Sequence, residues 1–296
     1  MTGPAADIPM RRIGSQCDTL GECPTWDARA SKLRWIDVTG KRLSTLDPGR
    51  SPVEDRRFED YPGSITMRQA GGILVAFRRS LALLDDDGTE AAKIVPPSID
   101  FTRERFNDGK CDRHGRFWVG TMDRRLKQPL GALYRVDPDL SVHRMSEGYG
   151  ISNGLAWSPD DRILYHCDSS PTVIYAYDFD GPSGTIANRR VFVEFTAGMG
   201  RPDGCATDAD GFLWVASPGA GCVRCFAPDG RQTRMIETPV RFPSSVAFGG
   251  NGLRTLFITT LKPHELTPEG RASELDGALY ATEPGVVGMP VGVFLG

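Results

Sequence analysis

The sequence predicts an all-β chain folded as a six-bladed β-propeller, about four antiparallel strands per blade around a central channel. Three observations predict it. Short apolar segments of one pattern recur six times, at residues 33–37, 73–77, 117–121, 164–168, 213–217 and 256–260, spaced roughly 40–50 residues apart. Each is followed by a partner segment, at 42–47, 80–85, 132–137, 173–178, 222–226 and 278–282. Helical periodicity with caps is not convincing anywhere. A β-sandwich would explain the strands but not their six-fold repetition.

The elements follow in order within each unit. Most of the six segments come after a turn rich in Asp, Gly or Asn, such as Asp112-Arg113-His114-Gly115 or Pro159-Asp160-Asp161. Several partners end in a second turn, as at Asp47-Pro48-Gly49, Asp86-Asp87-Gly88 and Pro228-Asp229-Gly230. A more polar fourth strand fits most gaps, for example 190–195 and 233–237. A blade of this size cannot bury its faces alone, so blades pack radially. Residues 11–17 precede the first unit and are expected to complete the last blade and close the ring. Residues 1–296 are read as one propeller domain, with about residues 1–10 as a flexible extension.

Composition narrows the function classes. The chain is 40% hydrophobic and 25% charged with a formal net charge of −3, and no Lys/Arg run longer than a pair stands out. Neither nucleic acid nor an anionic membrane is expected as a partner, since both need a basic footprint. No apolar run approaches the roughly 20 residues that span a bilayer. The first ten residues do not read as a signal peptide. Seven scattered cysteines are expected to be reduced thiols in the cytoplasm. Cys222-Val223-Arg224-Cys225 is half a zinc pattern without a second Cys or His pair at the right spacing.

The chemistry is carried by the strand before each Asp-Gly turn. In a propeller that innermost strand lines the channel. Reading back about 11 to 13 residues from the second-strand centres gives Glu22, Ser64, Asn107, Asn153, Asp203 and Ser244. Gly or Pro sits near every one, and Asp203 stands in a Pro-Asp-Gly turn that leaves its carboxylate free. Glu22, Asn107, Asn153 and Asp203 should then share a small space. Two bare carboxylates there would repel and one would take up a proton. A divalent cation removes that problem, and four oxygen donors suit Ca²⁺, Mg²⁺ or Mn²⁺, with Zn²⁺ or Fe²⁺ able to substitute. A single Asn or Asp beside Gly would merely make a turn; four in register across blades ask for more.

Arg105-Phe106-Asn107-Asp108-Gly109-Lys110, Gly120-Thr121-Met122, Ile151-Ser152-Asn153-Gly154-Leu155-Ala156-Trp157-Ser158-Pro159-Asp160 and Pro202-Asp203-Gly204 together resemble the gluconolactonase/regucalcin (senescence marker protein) family over nearly the whole chain. The resemblance implies a six-bladed propeller with one divalent metal in its channel, held by Glu22, Asn153 and Asp203. It places Asn107 near the metal, as a ligand or through substrate or water, and Arg105 and Asn107 on substrate oxygens. It implies metal-dependent hydrolysis of a sugar lactone such as gluconolactone, with Asp203 orienting or deprotonating the attacking water.

Two departures stand out. Cys23 follows Glu22 where the family has another small residue. Asp123-Arg124-Arg125 follows Gly-Thr-Met where some members carry an acidic, substrate-contacting residue. Those two arginines would suit an anionic substituent on the substrate, or would be solvated loop charges.

Other chemistries have less support. His114, His143, His166 and His264 lie outside the ring positions, which argues against a histidine-based zinc hydrolase. Ser152, Ser244 and Ser245 lack a Gly-x-Ser-x-Gly setting, and no Gly-rich phosphate loop precedes a helix. The alternatives kept open are an organophosphate-hydrolysing propeller and a non-catalytic calcium-binding regulatory protein.

Overall fold

The structure is a computed structural model that describes residues 9–48, 53–263 and 273–296. Six four-stranded antiparallel sheets form the blades of a β-propeller. Their inner strands are Gly21–Asp27, Pro62–Met67, Glu104–Cys111, Ser152–Trp157, Cys205–Thr207 and Pro243–Gly249. The first five blades are each built from four consecutive strands. In the sixth, the outermost strand is Met10–Cys17, from the opposite end of the chain, paired with Ala278–Thr282 so that Met10 faces Thr282 and Ile13 faces Leu279. The N-terminal strand thus closes the ring and covers an edge that would otherwise stand open. It begins at Met10; residues 1–8, most of the stretch expected to be a flexible extension, lie outside the described residues, as do His264 and part of the 47–49 turn. The only helical element among the described residues is a 3₁₀ turn, Asn251–Leu253.

The second strand of each blade is nearly continuous in apolar side chains because both faces are covered by neighbouring blades. Trp35, Trp118 and Trp214 are all fully buried there. A buried indole needs a partner for its N–H, and each finds a carboxylate: Trp35 donates to Asp18 at 2.7 Å, Trp118 to Asp112 at 2.9 Å and Trp214 to Asp208 at 2.8 Å. Asp112 also accepts from the amides of His114 and Arg116, and Asp208 from those of Asp210 and Phe212. In blades three and five the acidic turn between the first and second strands is thereby fastened to the blade interior by a tryptophan six residues on, whereas Asp18 precedes the first inner strand. Between blades the apolar faces interdigitate, as where Leu74 and Leu83 of the second pack with Phe106 and Phe117 of the third.

Candidate metal and substrate site

The inner strands share one irregularity. Their register with the second strand slips between Glu22 and Thr25, Pro62 and Ser64, Phe106 and Gly109, Ser152 and Leu155, and Pro243 and Ser245. In the fifth blade, regular pairing starts only at Cys205, after Asp203 and Gly204. A bulge re-aims a side chain and breaks the alternation of faces. The five bulges, and the late start of pairing in the fifth blade, fall at the six ring positions, which is why Gly and Pro cluster there.

The result is a cavity of about 750 Å³ at the channel mouth. Glu22, Asn107, Asn153 and Asp203 line it together with Arg105 and Asp108. The two remaining ring positions do not reach it. Ser244 is fully buried, donating to the carbonyl of Gly21 at 2.5 Å and to Thr259 at 3.0 Å. Ser64 is also fully buried, its hydroxyl without a partner among the described residues, and the adjacent Gly63 takes its place in the wall.

The amides are held by one chain of hydrogen bonds. Ser169 Oγ donates to the carbonyl of Pro202 at 2.6 Å and accepts from Asn153 Nδ2 at 2.7 Å. Asn107 Nδ2 donates to Asn153 Oδ1 at 2.6 Å and to the carbonyl of Ser152 at 2.9 Å. Arg105 Nη1 in turn donates to Asn107 Oδ1 and to the carbonyl of Phe106, both at 2.9 Å. The network links blades three, four and five around the same wall. Close backbone approach makes it possible: a Cβ on Gly154 would lie 2.3 Å from the carbonyl oxygen of Asp203.

Three carboxylates, not two, enter this space. Burial, with the charges of Asp203 and Asp108, holds the Glu22 carboxyl well above the usual carboxylate range. Burial and Asp108 do the same to Asp203. Asp108 is itself raised by burial, opposed by Lys110. Sequence reasoning quoted Asp108 within a motif but gave it no part in the site. The signal available was its position one residue past Asn107 on a bulged strand, where alternation no longer predicts facing.

Among the described residues no group of three or more His, Cys, Asp or Glu has the geometry of a metal site. The convergent set is mixed: the Glu22 and Asp203 carboxylates with the Asn153 amide oxygen. None of the three carboxylates forms an ion pair within 4.0 Å among the described residues. Lys110 spends its ammonium on the carbonyl of Cys205 instead. Buried negative charge without a cationic side chain on it, presented by oxygen donors alone, fits a hard divalent cation.

Arg124 and Arg125 do not line the cavity, although Met122 does. Both are exposed, and Arg124 reaches the carbonyls of Phe101 and Thr102 on the loop surface. Asp123 turns away to accept the amides of Arg125, Lys127 and Gln128 and so caps its own loop. The solvated-charge reading of these arginines is the one the structure supports. His166 is fully buried, bonded through Nε2 to Ser152 Oγ at 2.6 Å and packed edge-on against Tyr149. Burial draws its pKa down to about 3, so it is a neutral structural residue. All seven cysteines are free thiols.

Known proteins resemble this chain over most of its length. A family model described as "SMP-30/Gluconolactonase/LRE-like region" matches residues 20–262. The chain is 38% identical to a 6-deoxy-6-sulfogluconolactonase of Pseudomonas putida, over 97% of this chain and 99% of that one. It is 31% identical to regucalcin of Xenopus laevis, over 86% and 87%. A solved luciferin-regenerating enzyme superposes with a TM-score of 0.89 at 28% identity, covering 97% of this chain and all of the other.

Proposed function

The chain belongs to the SMP-30/Gluconolactonase/LRE-like family, and from that premise we propose that it hydrolyses a sugar lactone to the open-chain sugar acid with one divalent cation as cofactor. The observation that carries the reading is the meeting of Glu22, Asn153 and Asp203, from three different blades, in the wall of a cavity of about 750 Å³ that also presents Arg105 and Asn107. A cavity of that size admits a single sugar ring. The 6-deoxy-6-sulfogluconolactonase relative supports an aldonolactone as the substrate class.

The Glu22 and Asp203 carboxylates and Asn153 Oδ1 would hold the cation, which when bound supplies Lewis-acid polarisation of the lactone carbonyl. Asp203 accepts a proton from the attacking water. The water oxygen bonds to the acyl carbon, the bond from that carbon to the ring oxygen breaks, and the ring oxygen takes the proton that Asp203 accepted, leaving a hydroxyl and a carboxylic acid. Arg105 keeps donors for substrate oxygens once Nη1 has bound Asn107. Asn107 accepts from Arg105 and donates to Asn153, which holds both side chains in place, and the second lone pair of its oxygen is left for a substrate hydroxyl.

The test is proton release from a panel of aldonolactones by metal-stripped protein, with Ca²⁺, Mg²⁺, Mn²⁺, Zn²⁺ and Fe²⁺ added back singly. Turnover restored by one or a few ions supports the reading. Turnover of a phosphotriester in preference to every lactone would replace it with the organophosphatase alternative. Tight Ca²⁺ binding with no turnover under any ion would replace it with a non-catalytic calcium-binding role.

A further inference from the structure

A second cavity, of about 320 Å³, adjoins the first and shares Leu20, Val38, Gly63 and Arg105 with it. Arg78 lies in its wall, in the turn after the strand Ile73–Phe77. The backbone holds this turn against the third blade, since the amide of Phe106 donates to the carbonyl of Arg78 at 3.1 Å. That contact brings Arg78 beside Arg105, close enough for their like charges to oppose one another.

Two neighbouring guanidinium groups are ordinarily held by a carboxylate. Here, among the described residues, neither is within 4.0 Å of one. Arg78 rests its guanidinium on the Tyr61 ring, 4.1 Å from the centroid, and its buried Nε has no hydrogen-bond partner among the described residues. Lys41 adds a third positive charge over the same ring at 4.5 Å. Glu22 favours the charged form of Arg105 from the channel side but forms no ion pair with it. In a chain with a net charge of −3, this is a local concentration of cations, two of which, Arg78 and Arg105, line the cavity.

The geometry points to an anion subsite formed by Arg78 and Arg105 beside Tyr61, which takes an anionic substituent of the substrate remote from its lactone carbonyl. This rests on the lactonase reading. The carboxylates and the Asn153 amide stand in the wall of the first cavity, with Arg201 and Arg241, and Arg105 lines both cavities and so leads from them to Arg78 in the second. A lactone with its carbonyl toward Glu22 and Asp203 presents its far carbon toward Arg78. A sulfonate, phosphate or carboxylate on that carbon supplies the acceptors that the guanidinium groups lack. A neutral hydroxymethyl group offers these guanidinium groups one hydroxyl oxygen and no charge, whereas an anion offers several charged acceptors and the stronger charge-assisted bonds. The substrate class is therefore an aldonolactone with a negative charge on its terminal carbon.

The experiment measures kcat and KM of the cation-loaded protein for gluconolactone and for its C6-sulfonate, C6-phosphate and C6-carboxylate analogues, in wild type, Arg78→Met and Arg78→Lys. Wild type is expected to favour at least one anionic lactone by tenfold or more, mainly through KM. The three analogues rank the anions. Arg78→Met is expected to reduce that preference at least tenfold, and Arg78→Lys to keep part of it. Inorganic sulfate should raise KM for the anionic lactone more than for gluconolactone. Equal turnover of neutral and anionic lactones by wild type, or a preference unchanged in Arg78→Met, overturns the subsite while leaving the lactonase reading standing. If no lactone is turned over, that reading fails instead. Calorimetric titration with the C6-sulfonated aldonate then decides the subsite, and equal affinity for wild type and both variants overturns it.

Discussion

Asn107 donates its amide nitrogen to Oδ1 of Asn153 across 2.6 Å, and the direction of that bond follows from the groups around it. Ser169 has one hydroxyl proton and gives it to the carbonyl of Pro202. It must therefore accept from Asn153, which turns Asn153 Nδ2 toward Ser169 and Oδ1 toward the cavity side. Asn107 faces two acceptors, Asn153 Oδ1 and the carbonyl of Ser152, so its nitrogen points there and its oxygen points to Arg105. A hydroxyl in the wall of blade four thus decides which atom Asn153 offers to a cation and how Arg105 is aimed.

Asn107→Ala removes the link between the two halves of this network. Groups that orient a ligand typically contribute 10–100-fold to metal affinity or activity. A loss of about that size is expected in both, measured by cation titration and by lactone turnover. Full activity with unchanged cation affinity would show that Asn153 is held without it.

Removing a buried charge should separate stability from function. Asp203→Asn and Glu22→Gln are each expected to abolish cation binding and turnover. In the metal-stripped state each should melt higher than wild type, by a few degrees per kcal/mol of relieved repulsion, because Glu22, Asp108 and Asp203 oppose one another in the wild-type cavity. Scanning calorimetry with chelator present checks this. A lower melting temperature in both variants would mean that the carboxylates are stabilising without a cation.

Gly154 is where blades four and five meet at the site. Its Cβ would stand 2.3 Å from the Asp203 carbonyl oxygen and 2.9 Å from the Cys205 amide and thiol. Backbone cannot give way as a flexible side chain can. Gly154→Ala is expected to cost about 1–3 kcal/mol in denaturant unfolding and to weaken cation binding by moving Asp203. A variant with native affinity would refute the idea that this approach sets the position of Asp203.

His166 should make folding sensitive to acid. Its pKa in the folded chain is drawn down to about 3 by burial, aided by the charge of Arg189, against about 6.5 in an unfolded chain. Between those values the unfolded state binds the extra proton, so stability falls as pH falls from about 6.5 toward 3, by roughly 1.4 kcal/mol per pH unit from this residue. Above that window His166 contributes no pH dependence. His166→Asn should lack this component, so the stability difference between wild type and variant should change with that slope below about pH 6. Urea unfolding at a series of pH values measures it, and parallel profiles would show that His166 is protonated in the folded protein.

Much of this architecture is legible in the amino-acid order because it is local. Turn residues, alternating apolar strands and a repeat of one unit are all set by neighbours a few positions apart, and six copies make the pattern unambiguous. The ring positions are legible for the same reason: Gly or Pro beside Glu22, Asn107, Asn153 and Asp203 marks the bulges that turn them into the channel. Ser64 and Ser244 occupy equivalent places in the repeat yet stay buried. Periodicity assigns a position, while the depth of a side chain depends on the blade beside it.

Everything that joins distant blades was decided by packing in three dimensions. Asp108 enters the carboxylate cluster because a bulge suspends the alternation that would have sent it to the other face. Ser169 orients Asn153 across an inter-blade contact to Pro202, with no spacing that announces it. Arg124 and Arg125 looked placed for an anion beside a family motif but are exposed on the outside of their loop, whereas Arg78, far from any motif, stands beside Arg105. Charges interact through space and not along the chain. The repeat therefore dictates which fold is made and which strand ends converge, and the radial packing of blades alone decides which charges meet there.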